Sequence, residues 1–271
     1  MNQTRKDAFV DLYEQWLDNA VRRRVAEEEI DRVRREHGIG PGDFAVLESL
    51  REFNDPDNKS YFLLPGEISG EDARKAVLMT YVFNAGTDYG QADSPANRYD
   101  RSPTNNDYEE IPYSSAEISR ISRRQARNSW TYRQDVGFML DRGAGLVTTP
   151  NGMLMGLGGS QLLSFFAAKG GTTWGDIFRL RIDNPVDPAT TLEAIVASGS
   201  MPISQDPDGK TNHWLDLDRL LHHEEIHAEQ WADKGFLGFL TSYAWQGIKA
   251  RGDGRKIPLE QQAGLADGGY V

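Results

Sequence analysis

Apolar residues recur at helical spacing over much of this chain, and turn-forming residues take over where they do not. Between residues 5 and 36, Phe9, Leu12, Tyr13, Trp16, Leu17, Ala20, Val21 and Val25 form a stripe that narrows to Ile30 and Val33, which predicts one long helix. Its second half reads as a solvated face, because Arg22, Arg23 and Arg24 are followed by Glu27, Glu28 and Glu29. Gly38, Gly40, Pro41 and Gly42 end it. The stretch SYFLLPGEI then suggests a short strand and turn, and Glu71 to Phe83 returns to the helical pattern.

From Ala85 to Pro112 periodicity lapses into Gly, Asp, Asn, Ser and Pro, which predicts a long loop and a domain boundary. The division expected is a mainly helical N-terminal region with a long loop, 1–112, and a second domain, 113–271. Within the loop, Tyr89 and Asp93 make Y-x-x-x-D after a helix. That pattern is similar to the export signal of actinobacterial type VII secretion, and a surface loop rich in Tyr and acids also produces it.

Ser114 or Ser115 with Glu117 opens a helix to about Asn128 that carries Arg120, Arg123, Arg124 and Arg127, read here as partners for excess carboxylates. Residues 144–158 predict a hairpin about a Pro-Asn-Gly turn, Asp176 to Ile182 a strand, and Pro188 to Ala197 a helix. The next run, LDLDRLLHHEEIHAEQW from Leu215 to Trp231, is the one that carries chemistry. His223, Glu224 and His227 stand in it as H-E-x-x-H, and four residues are slightly more than one helical turn. Both imidazoles therefore leave one face about a metal ion apart, with Glu224 beside the first and able to reach a water on that ion. Asp216 or Asp218 starts this helix and Gly235 stops it. A second helix is expected from Phe236 to Lys249, and a third opens at Pro258.

Composition narrows the chemistry. With 271 residues, 38% of them hydrophobic, the chain has material for a sizeable core. A net charge of −11 disfavours a nucleic-acid partner. The absence of cysteine restricts any zinc to nitrogen and oxygen ligands. No Sec-type signal and no membrane span are expected, which leaves a cytoplasmic protein or one exported by a non-Sec route.

The run HHEEIHAEQW, followed by G-F-L-G-F-L-x-x-Y and a P-L-E-x-x-A segment, resembles the gluzincin HExxH metallopeptidase domains of actinobacterial toxin and type VII secretion associated proteins. The resemblance covers residues 215–265. It implies an α+β zincin-like domain, with a small antiparallel sheet and the HExxH helix, after the mainly helical N-terminal region. It also implies His223 and His227 as zinc ligands, Glu260 as the third ligand and Glu224 as general base. His213 and Asp267 remain rival ligands. Where the family carries an acidic residue four positions after the ligand Glu, this chain has Gly264, so the partner that braces a ligand His must come from elsewhere. Tyr243, Tyr270, His213 and His222 are candidate oxyanion donors. A strand near Ile177 would offer an edge to an extended peptide. The function implied is a zinc-dependent peptidase acting on a peptide or protein as an effector or toxin domain, with a secretion-system partner. The alternatives are a catalytically inactive zincin-fold binding module associated with secretion, and hydrolysis of a non-peptide amide.

Overall fold

The computed structural model describes residues 3–22, 25–83, 114–159, 171–182, 185, 187–204, 212–250 and 253–270. The loop expected at 85–112, with Tyr89 and Asp93, lies outside the described residues. The fold is a mixed helix and sheet structure, as the α+β expectation has it.

Two helices, α1 (Gln3–Arg22) and α2 (Glu27–His37), stand where the sequence pattern predicts one. Ala26 is extended at φ −64° and ψ 140°, so the chain folds back there. Folding back lets Trp16 and Ala20 of α1 share a core with Ile30 and Val33 of α2, against Phe44 of a 3-10 helix at Pro41–Ser49. A single straight helix of about 30 residues would run roughly 45 Å and carry Ile30 and Val33 away from that core.

The main sheet has six strands in the order β1-β2-β3-β4-β6-β5. They are β1 (Arg51–Asn54), β2 (Ser60–Leu63), β3 (Gly145–Thr148), β4 (Leu154–Leu157), β5 (Gly171–Trp174) and β6 (Ile177–Leu180). All pairs are antiparallel except β4 with β6, which run parallel. The sheet is thus larger than expected. It also reaches across residue 112, since Phe62 and Leu63 of β2 pair with Thr148 and Val147 of β3. The hairpin expected at 144–158 is β3 and β4, closed by Asn151 and Gly152.

Both faces of the central strands are buried, so their sequences are apolar without strict alternation. Leu146, Leu154 and Ile177 face Val77 of α3 (Gly70–Phe83) and Val136 and Met139 of α5 (Ser129–Leu140). Val147, Met155 and Phe178 face the other way, toward Leu192 of α6 (Pro188–Ser198) and Leu221 of α7 (Leu217–Lys249). A separate antiparallel pair, β7 (Ser200–Ser204) and β8 (Asn212–Asp216), leads straight into α7. Asp216 therefore closes a strand, and its Oδ1 accepts from the Arg219 amide at 3.1 Å, capping the helix about two turns ahead of the histidines.

α4 (Ser115–Arg127) crosses behind α7, and its arginines are not one surface. Arg124 is fully buried and donates to Asp176 Oδ1 at 2.9 Å and Glu225 Oε1 at 2.6 Å, while Arg127 meets Asp233 at the exposed surface. His37, at the end of α2, is buried where α2, α3 and α4 meet. It lies 2.7 Å from Ser122 Oγ and accepts from Arg74 Nη1 at 2.5 Å. Burial, then the Arg74 and Arg32 charges, push its pKa down to about 4 from an ordinary 6.5.

A group lowered in the fold contributes stability that is present above its unfolded pKa and lost as pH falls toward the folded value. Between pH 7 and 5 the unfolded chain takes a proton at His37 that the native state refuses, at a cost of about 2 kcal/mol. In His37→Gln, the difference in urea-unfolding free energy between pH 7 and pH 5 should shrink by about that amount. An unchanged difference contradicts the assignment.

Candidate metal centre

α7 is two helical arms joined at Gly235, whose φ of 67° and ψ of 171° belong to neither. A residue with a Cβ is strained at that φ, so glycine sets the corner. The first arm carries His223, Glu224 and His227, as the H-E-x-x-H spacing requires. The second runs back toward the same cleft, bringing Phe239, Leu240 and Tyr243 to its wall. The chain then passes a short 3-10 turn at Gly254–Lys256 and enters α8 (Pro258–Ala263), where Leu259 and Ala263 point into the core. Glu260 on that helix faces the two histidines.

His223, His227 and Glu260 are all buried, and one donor atom of each lies within metal-binding distance of the other two. His227 Nε2 is 3.2 Å from His223 Nε2 and 3.3 Å from Glu260 Oε2, and His223 Nε2 is 3.5 Å from Glu260 Oε2. The far nitrogen of each imidazole is already committed. His223 Nδ1 lies 2.9 Å from the carbonyl oxygens of both Ala263 and Gly264, which only accept, so it must carry the proton. His227 Nδ1 donates to Gln230 Oε1 at 2.9 Å, while Gln230 Nε2 donates to Leu259 O at 3.0 Å. With both Nδ1 positions carrying protons, the two Nε2 atoms turn toward each other and toward a carboxylate oxygen. Three acceptors this close are stable only around a cation, and the cluster is compatible with a metal ion.

The same contacts show what replaces the carboxylate that Gly264 lacks: two backbone carbonyls at the end of α8 brace His223, and a side-chain amide braces His227. The backbone beyond comes so close that a Cβ on Gly268 would lie 2.4 Å from His223 Cε1. Asp267, a rival ligand, is instead the partner of Arg219, accepting from its Nε at 2.7 Å. His222 is buried but outside the cluster. The side chain of His213 lies outside the described residues.

Burial alone would lower the His227 pKa, but the Glu260 carboxylate outweighs it and holds the group at about 9. Glu260 is held well below the usual carboxylate range: burial opposes this, and the two imidazoles overcome it. Its other oxygen, Oε1, accepts from the Tyr243 hydroxyl at 2.8 Å. Glu224 is not in the cluster. It lines the cleft beside it, and its Oε2 accepts from Thr173 Oγ1 of β5 at 2.6 Å. Tyr243 and Tyr270 also line this cleft, whereas His222 does not. β6, the strand at Ile177, sits between β4 and β5, so the strand at the end of the sheet is β5.

Sequence reasoning missed Gln230, Thr173 and Glu225. Gln230 alone has a local signal, three residues after His227 on the same face. Glu225 points away from the cleft into a buried network: it accepts from Arg120 and Arg124, while Asn151 of the β3–β4 turn donates to it and to Leu221 O. This network fixes the rotation of α7, and so the direction its histidines face. No protein-family model, curated protein or solved structure matches the chain.

Arg124→Met would take from buried Asp176 its guanidinium partner and from Glu225 one of two, and should cost about 3–5 kcal/mol. Arg127→Met breaks only an exposed pair and should cost less than about 1 kcal/mol. Urea unfolding of the two variants checks this, and equal losses contradict the network's role.

Proposed function

We propose that this chain is a zinc-dependent peptidase of the gluzincin type, with His223, His227 and Glu260 holding the metal and Glu224 as general base. The observation that carries the reading is the convergence of two buried imidazole Nε2 atoms and a buried carboxylate oxygen within metal-binding distance of one another. Their separations of 3.2, 3.3 and 3.5 Å are also those of a tetrahedral zinc site. With metal–ligand bonds of about 2.0–2.1 Å, the edges of such a tetrahedron measure about 3.3–3.4 Å. Three protein ligands of nitrogen and oxygen leave a fourth position open, which distinguishes a catalytic zinc site from a closed structural one.

Zinc supplies Lewis acidity there, lowering the pKa of a water and polarising a carbonyl oxygen. The chain's own residues do the rest. Glu224 takes the proton of the attacking water on a carboxylate oxygen and hands it to the leaving amine, so that one group serves as base and then acid. Thr173 Oγ1 holds its other oxygen and thereby orients the carboxylate. The Tyr243 hydroxyl is committed to Glu260 and braces that ligand, and Tyr270 lines the same cleft. β5, whose Thr173 touches the base, ends the sheet order, which suits it to pair with an extended peptide.

A peptide or protein substrate is thus the partner proposed, and a role as an exported effector is part of the same proposal. Among the described residues no helix is long and apolar enough to cross a membrane.

Purified protein should take up one zinc per chain. His223→Ala, His227→Ala and Glu260→Ala should each weaken zinc binding by orders of magnitude, whereas Asp267→Asn should change it little. Full stoichiometry and affinity in Glu260→Ala would remove Glu260 from the site. A second measurement separates base from ligand: Glu224→Gln should keep its zinc and lose at least about a thousandfold in peptide turnover. A variant that hydrolyses peptides like the wild type overturns the role given to Glu224.

A further inference from the structure

The cleft beside the cluster has walls of one chemical kind. Leu220, His223, Glu224, His227 and Trp231 follow one another at helical spacing on the first arm of α7 and share the face that forms the cleft floor. Leu220 stands at one end of this row with Leu215 of β8, and Trp231 at the other. The second arm extends the Trp231 end into a ladder of rings. Phe239 stacks on Trp231 with centroids 4.0 Å apart and planes at 20°, and Tyr243 stacks on Phe239 at 5.7 Å and 15°.

Both ends of the ladder are anchored. Trp231 Nε1 donates to the Thr173 carbonyl at 2.9 Å, and the Tyr243 hydroxyl to Glu260. Half-buried Leu240 and exposed Ala244 complete this side. Among the described lining residues there is no Lys, Arg or Asp. The only acids are Glu224, held by Thr173, and Glu260, held by Tyr243 and the imidazoles.

We propose that this cleft selects a peptide whose residue next to the cleaved bond carries a large apolar side chain, seated on the Trp231–Phe239–Tyr243 wall, and rejects an acidic residue there. The proposal rests on the peptidase reading above. A Phe or Leu side chain would remove its own surface from water against half-buried Leu240 and Tyr243 and the buried rings behind them. A carboxylate against that wall would lose its hydration, find no Lys or Arg among the described lining residues to pair with, and face Glu224. A Lys would be desolvated beside two carboxylates that already have partners.

Quenched peptides that differ only in the residue on either side of the cleaved bond, Phe, Leu, Ala, Lys or Glu, test this with the zinc-loaded full chain. For at least one of the two sides, kcat/KM should be at least about tenfold higher for Phe and Leu than for Ala, and about a hundredfold higher for Phe than for Glu. Leu240→Lys, which leaves the cluster untouched, should cut the Phe-to-Glu ratio about tenfold by placing an ammonium in the wall. Ala244→Lys, at an exposed helical position, repeats the test should the first variant fold poorly. Equal cleavage of Phe and Glu peptides, or a ratio that neither variant moves, overturns the inference.

If the zinc-loaded wild type cleaves none of the peptides, it is the peptidase reading that fails. Selectivity is then read from tryptophan fluorescence of Glu224→Gln titrated with the same peptides. Phe peptides should bind at least about tenfold tighter than Glu peptides, and equal binding or none overturns the inference.

Discussion

Three hydrogen-bond acceptors meet in the interior of this protein with nothing of their own to put between them, and much of the C-terminal half is arranged to keep them there. The Ala263 and Gly264 carbonyls and the Gln230 amide oxygen hold protons on the two Nδ1 atoms, which forces both Nε2 lone pairs inward. Tyr243 holds one oxygen of Glu260 and so turns the other toward the rings. Without a cation this geometry is repulsive. A proton is the smallest cation that relieves it, consistent with the raised pKa of His227, and a divalent ion relieves it for all three groups at once.

Holding such a cluster requires a helix that cannot rotate. The first arm of α7 is apolar where it meets the sheet, through Leu217, Leu221 and Ala228, but apolar packing alone tolerates small rotations. The buried Arg124 does not. It joins Glu225 of α7 to Asp176 at the β5–β6 turn and donates to the carbonyls of Asn151 and Gly152 at the β3–β4 turn. Glu224 and Glu225 are adjacent in sequence and serve opposite ends of the design: one faces the cleft, the other ties the helix to the sheet.

How much of this could be read in advance follows from how far apart the partners lie. The histidine pair was legible because i and i+4 spacing is a local property, and the Gly235 corner because glycine at a helix end is a local signal. Glu260 came from a resemblance rather than from spacing, since 33 residues separate it from His227. The bracing of His223 was not legible at all: backbone carbonyls carry no sequence identity, and only the fold brings residues 263 and 264 to that ring. Strand existence was partly visible, but β1, β5, β7 and β8 were missed. They are four or five residues long, too short for an alternation of apolar and polar positions to register, although each pairs with the strand next to it in sequence. The break between α1 and α2 carries no Gly or Pro, because the Trp16–Phe44 core imposes it and local propensity does not.

The central claim is that the cation belonging between these three groups is zinc held by two imidazoles and a carboxylate. X-ray absorption at the zinc edge, on the full chain loaded with one equivalent of zinc at neutral pH, tests it most directly. The account predicts a four-coordinate ion with two imidazole nitrogens and two oxygens at about 2.0–2.1 Å, losing one oxygen ligand's contribution in Glu260→Ala. A chain that takes up no zinc, or a first shell with three imidazoles and no change in Glu260→Ala, would contradict it.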